Sequence, residues 1–103
     1  MAVNTQLIKD VKDYLDITWE LDEAGESKLA GIVIRGMHYL DGIAGEALDY
    51  SLEETQKALL LDYVRYVRSS ALDEFQSNYK SELLSLQISR EVKRYDTKEN
   101  TDV

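Results

Sequence analysis

The sequence predicts an all-α fold: a small bundle of about four helices with a long central third helix and a flexible C-terminal tail. Three observations carry this. The 103 residues include no proline and only five glycines, which favours long helices over a many-turned β fold. Apolar residues recur at helical spacing along most of the chain. No internal repeat or linker divides it, so residues 1–95 read as one helical domain and 96–103 as a disordered tail of low hydrophobicity.

Asn4 or Thr5 is placed to cap a first helix whose buried face is Leu7, Ile8, Val11, Tyr14 and Leu15. Periodicity is lost from Asp16 to Glu26, where Ile17, Trp19 and Leu21 alternate with polar residues. A short extended piece fits there, with Trp19 anchoring the loop on the core. A second helix is expected from about Ser27 to Ala44, burying Leu29, Ile32, Val33, Gly36, Met37, Leu40 and Ile43, with Gly45 as its stop. Gly31, Arg35, His38 and Gly42 fall on the opposite side. Glycines on an exposed line cost roughly 0.5–1 kcal/mol each against alanine. Either that cost is tolerated, or Gly31 and Gly42 mark a close approach of another chain.

Ser51 to Glu54, SLEE, reads as a capping box that starts the third helix. This helix is expected to run to about Gln76. From Leu59 to Phe75 its apolar residues spread over about two-thirds of the circle, more than the stripe of little over 100° that one-sided packing needs. Such a helix is central, or touches a second chain, or both. Its narrow polar stripe holds Asp62, Arg65, Ser69 and Asp73, with Asp62 and Arg65 spaced to pair. Arg68 falls inside the apolar arc. Either its stem lies on the core with the head in water, or it is a partly buried arginine paired with a carboxylate or helix C-terminus of its own or a neighbouring chain; the paired role is the hypothesis taken. Asn78 is a candidate cap for a fourth helix with a stripe of Leu83, Leu84, Ile88 and Val92. One continuous helix stays open, because Leu72, Phe75, Tyr79, Leu83 and Leu86 also keep phase.

The chemistry-bearing residues are sparse. There is no cysteine, which excludes disulfides, zinc–thiolate sites and thiol nucleophiles. His38 is the single histidine, with Asp41 three residues on, but no nucleophile is marked out beside them. DEAGES lacks the ligand spacing of a calcium loop, and no glycine-rich loop cradles phosphate. The expectation is a protein without catalysis, metal or cofactor. The net charge of −8 repels phosphate backbones, and the cluster Arg90, Lys93 and Arg94 is too small to reverse that. It reads as a solvated helix end whose cations favour the dipole, or as a contact for an acidic partner. No apolar run approaches the ~20 residues of a membrane span, and the start lacks the pattern of a signal peptide. Action inside a cell, or inside a particle assembled in one, is expected.

DVKDYLDITWELDE (Asp10 to Glu23), GIAGEALDY (Gly42 to Tyr50) and above all LLLDYVRYVRSSALDEFQSNYKSELLSLQI (Leu59 to Ile88) resemble the small head-tail connector proteins of tailed bacteriophages and prophages. That family is also described as the QLRG family of DNA-packaging proteins. The resemblance covers roughly Val11 to Ile88. Where the family name calls for Gln-Leu-Arg-Gly, this chain has Gln87, Ile88, Ser89 and Arg90. The resemblance implies an all-helical adaptor that assembles as a twelvefold ring beneath the portal protein once DNA is packaged. Such a ring offers a docking surface to a stopper or tail-completion protein. DNA passes through its channel without specific binding. The subunit would be made in the bacterial host cytoplasm and reside at the virion head-tail junction. Tyr63, Arg65, Tyr66 and Arg68 become the expected subunit contacts, joining Gly31, Arg35 and Gly42. Leu84, Ile88, Arg90, Val92, Lys93, Arg94 and Tyr95 become the expected portal contacts. The alternative is an acidic helical regulator or inhibitor, either a DNA mimic or an antitoxin-like binder. A DNA mimic needs unbroken carboxylates along one face, and Arg35, Lys57, Arg65 and Arg68 interrupt them.

Overall fold

The computed structural model describes the backbone of residues 4–101 and the side chains of residues 4–96. Within that range five helices and no strand form: α1 (Thr5–Tyr14), α2 (Glu23–Ala44), α3 (Thr55–Arg68), α4 (Leu72–Asn78) and α5 (Lys80–Thr101). The class is the expected one, with one helix more. α2 packs against α3 and α5, and α3 in turn against α1 and α4. α3 is therefore central, but at 14 residues it is shorter than α2 and α5, each of 22. The core joins Leu7 and Val11 of α1, Leu29, Val33 and Leu40 of α2, Leu60 and Val64 of α3, and Phe75 of α4.

Three helices end the same way, and only one end was visible in the sequence. At the close of α2, Gly45 takes φ 76° and the Glu46 N–H donates to the Asp41 carbonyl at 3.2 Å. This is a left-handed C-terminal cap that glycine adopts at no steric cost. α1 closes with Asp16 in that role: its φ is 58°, and the Ile17 N–H donates to the Lys12 carbonyl at 2.9 Å. α3 closes with Ser70: its φ is 55°, the Ala71 N–H donates to the Tyr66 carbonyl at 2.8 Å, and its own N–H to Val67 at 3.0 Å. The third helix consequently stops at Arg68 and not near Gln76. Beyond the break, α4 and α5 are almost one element. They bend at Tyr79, and bonds from the Tyr79 N–H to Phe75 and from the Leu83 N–H to Tyr79, both 2.9 Å, span the bend. Asn78 thus ends α4 and does not cap a helix.

Side-chain hydrogen bonds set the remaining boundaries. Asn4 Oδ1 accepts from the Leu7 N–H at 2.7 Å, as its position predicts. Asp22 accepts from the Gly25 N–H at 2.7 Å and starts α2 four residues earlier than expected, with Glu23 and Glu26 at the positive end of the dipole. The SLEE capping box does not form. Asp49 captures both the N–H and the hydroxyl of Ser51, and Glu54 becomes the N-terminal boundary of α3 without a side-chain cap. Trp19 anchors nothing: it is 59% exposed, and Ile17 is the loop residue that enters the core. The α5 backbone stays helical through Thr101, where a tail from 96 was expected; no glycine or proline interrupts it. Asp102 and Val103 lie outside the described residues.

Gly36 is the glycine that a close approach requires. A Cβ there would lie 2.7 Å from Leu60 Cδ1 and 2.8 Å from Tyr63 Cδ1 on α3. A Cβ on Gly42 would meet nothing within 4 Å. Gly36→Ala should lower stability by about 1–3 kcal/mol through overpacking. Gly42→Ala should raise it by about 0.5–1 kcal/mol, the ordinary helix preference. Urea unfolding with unchanged m-values reads both effects, and equal effects at the two positions would contradict this packing.

Candidate functional site

Among the described residues, no group of three or more His, Asp or Glu side chains is placed to hold a metal ion, and every buried side-chain nitrogen and oxygen has a partner. His38 is exposed, and Asp41 is committed elsewhere. Asp41 Oδ1 accepts from the Leu48 N–H at 3.1 Å and the Tyr50 hydroxyl at 2.7 Å, which folds the α2–α3 loop onto α2. Burial, and then that carboxylate, push the Tyr50 phenol well above its ordinary value. Among the described residues, no helix is long and apolar enough to cross a membrane. What the described surface does offer is two places suited to binding.

The first is the outer face of α5. Leu83 and Leu86 turn into the core, whereas Leu84, Ile88 and Val92 stand 52%, 50% and 53% exposed. At about 100° per residue the three exposed residues fall roughly 100–180° around the helix from Leu83. The expected stripe of Leu83, Leu84, Ile88 and Val92 is therefore two stripes, and only Leu83 belongs to the core. Tyr95, also exposed, continues the outer row one turn further. A row of apolar side chains four residues apart on a helix that runs past its core is the geometry of helix-in-groove docking.

The basic residues of α5 separate from this row. Arg94 Nη1 donates to the Ala44 carbonyl at 2.7 Å and lies 3.2 Å from Glu46 Oε1. It satisfies the C-terminal end of α2, the negative pole of that helix. Arg94 is thus a structural clamp across 50 residues of sequence. Arg90 and Lys93 line an open cleft of about 400 Å³ with Glu54, Gln56 and Leu86. Of the seven expected portal contacts, Leu84, Ile88, Val92 and Tyr95 share one exposed face and the three cations lie toward the body.

The expected subunit contacts disperse. Tyr63 is buried in the chain's own core, its ring stacked at 5.6 Å on Tyr39, so no neighbour can reach it. Tyr66 is half-buried against Phe75. Arg65 is held on the surface, 3.5 Å from Asp62 and with its guanidinium 5.3 Å from the Tyr66 ring centroid. A Cβ on Gly31 would lie 3.5 Å from Arg35 Nη1 of its own helix, and one on Gly42 would face open space. Arg68 is exposed and makes no ion pair among the described residues, so the expected pairing within its own chain does not form and only a neighbouring chain could supply the partner. The phase that put it inside an apolar arc used Leu72 and Phe75, which lie beyond the break on α4.

Arg35 and Arg68 do share the second surface. With Lys28 they rim an open cleft of about 290 Å³ between the α1–α2 loop, α2 and the end of α3, floored by Leu29, Ile32 and Val67. No local pattern signals this convergence, since the cleft's lining comes from three segments. No family model, curated protein or solved structure matches this chain.

Proposed function

We propose that this chain is a structural subunit of a phage or prophage head-tail connector, without catalysis, that docks through the outer face of α5. The observation that carries the reading is the exposed row Leu84, Ile88 and Val92 on a helix extending past its core. The resemblance of residues Val11 to Ile88 to the connector family supplies the context. In this reading the subunits form a ring under the portal after DNA packaging, α5 meets the portal, and the ring's other side receives the stopper or tail-completion protein. The chain's net charge of −8 suits a channel wall along which DNA slides without being gripped. The cations gathered at Lys28, Arg35 and Arg68 weigh against a DNA mimic, which needs an unbroken acidic face.

Two experiments test the proposal. Deleting the gene from an inducible parent phage should give full-sized heads that have lost DNA beside unattached tails; intact tailed particles would refute it. In vitro, Ile88→Asp should weaken binding to purified portal rings by about a hundredfold or more, the loss typical of a buried apolar anchor. Its helicity should be unchanged, because Ile88 is outside the core. This point variant is cleaner than truncation after Ser89, which also removes the Arg94 clamp on α2.

A further inference from the structure

The cleft rimmed by Lys28, Arg35 and Arg68 inverts the charge of the molecule. The chain carries 20 acidic residues against 12 basic, yet three bases and no acid line this cleft. None of the three makes an ion pair among the described residues. The floor beneath them is apolar. Trp19 lies in the same α1–α2 loop as the lining residues Ile17 and Leu21 and is 59% exposed. Arginine and tryptophan are the residue types enriched at the centres of interfaces. The occupant that fits is an apolar side chain flanked by carboxylates.

The same chain presents such a group at its other end. In the α2–α3 loop Leu52 is 44% exposed, and Asp49, Glu53 and Glu54 around it are exposed as well. The loop is already ordered: Asp49 accepts from the Ser51 N–H at 2.9 Å, and Gln56 Nε2 donates to the Asp49 carbonyl at 2.9 Å. Binding through it therefore costs little ordering entropy. The knob precedes α3 and the cleft lies at its far end. Thr55 and Val67 are twelve residues apart, about 18 Å of helix rise, so the loop cannot fill its own cleft.

We infer that Leu52, with Asp49 and Glu53, of one copy seats in the Lys28–Arg35–Arg68 cleft of the next. The two patches are different surfaces, so the contact is head-to-tail, and repetition generates a ring or an open filament. Opposite charges at the rim fix the orientation, and the apolar knob and floor exclude water between them. This deepens the proposed function and rests on it for closure of the ring. The contact itself stands on complementarity and is tested without a portal.

The chain has no cysteine, so single thiols can be placed at will. Thr55→Cys and Ser70→Cys put one beside the knob, with Leu52 kept, and one at the cleft. The two are mixed at high concentration with a short bismaleimide, which traps even a weak contact. The mixture should form dimers about ten times faster than either variant alone, the ratio of a specific over a random encounter. Adding Arg68→Glu to the cleft variant should remove that excess, and Glu53→Lys on the knob variant should restore it. The emission of Trp19 in the trapped dimer should shift to the blue. Equal rates in mixed and single samples, or no effect of charge reversal, would overturn the contact. Trapping that persists in an Ile88→Asp background unable to bind portal would separate this contact from the α5 docking surface.

Discussion

Phe75→Ala should lower the unfolding free energy by about 3–5 kcal/mol, a large share of what holds a domain of this size. Phe75 is the only phenylalanine and is fully buried. Four tyrosine rings surround it: Tyr79 at 4.7 Å between centroids, Tyr63 and Tyr66 each at 5.7 Å, and Tyr39 at 6.4 Å. These rings come from α2, α3 and the α4–α5 bend. Removing the central one leaves a cavity that rigid neighbours cannot collapse into, and cancels edge-to-face pairs worth about 0.5–1.5 kcal/mol each. The consequence is more than global. α4 buries only Phe75, so the variant should also free the α3–α4 turn and loosen the base of α5. Thermal unfolding by circular dichroism reads the loss. Amide exchange at Leu72–Asn78 reads the local release, and a loss under about 1 kcal/mol would show that the rings repack around the gap.

What was legible in the sequence was what local rules encode. The cap at Asn4 and the stop at Gly45 are read from one residue and its neighbours, and the apolar face of α2 from a period of 3.6. The illegible features have three physical sources. Left-handed helix ends built on Asp16 and Ser70 carry no glycine to announce them, so apolar periodicity alone carries α3 on through its own break. Competing acceptors decide a cap. Ser51 satisfies the capping-box pattern, but Asp49 reaches its N–H first. Tertiary partners decide a face: Leu84, Ile88 and Val92 form one apolar row and Leu83 and Leu86 another, and the position of α2 selects the second for the core. The binding surfaces belong to this third group. Lys28, Arg35 and Arg68 are ordinary solvated cations in sequence and become a cleft only when the α1–α2 loop, α2 and the end of α3 close.

The residue that sequence reasoning missed most completely is Lys57, and its removal is the other large expected effect. A lysine early in a helix reads as solvated, yet Lys57 is 4% exposed. Its Nζ donates to Asp10 Oδ2 at 2.8 Å and to Glu53. The pair staples α3 to α1 across 47 residues of sequence. Lys57→Ala removes a buried stem and strands a carboxylate on the α1 surface, and should cost about 2–4 kcal/mol. Lys57→Met keeps the stem and should recover more than half of that, so the two variants divide packing from charge. The pH dependence has a definite sign. Hydrogen bonds from Lys57 and then Gln6 hold the Asp10 carboxyl below its ordinary 3.8. Its contribution is therefore complete above that value and is lost as pH falls through it toward the lower folded value. Hydrogen bonds to Asp10 and then Glu53 raise the Lys57 ammonium above its ordinary 10.5. That contribution is complete below 10.5 and is lost as pH rises through the higher folded value. The native chain should thus hold a plateau between these limits. In Lys57→Met the alkaline edge should flatten and the acid edge should shrink without vanishing, because Gln6 and Lys9 still hold the Asp10 carboxyl down. Urea unfolding of the native chain and of Lys57→Met across this range reads the difference. Parallel curves would show that the staple is packing alone.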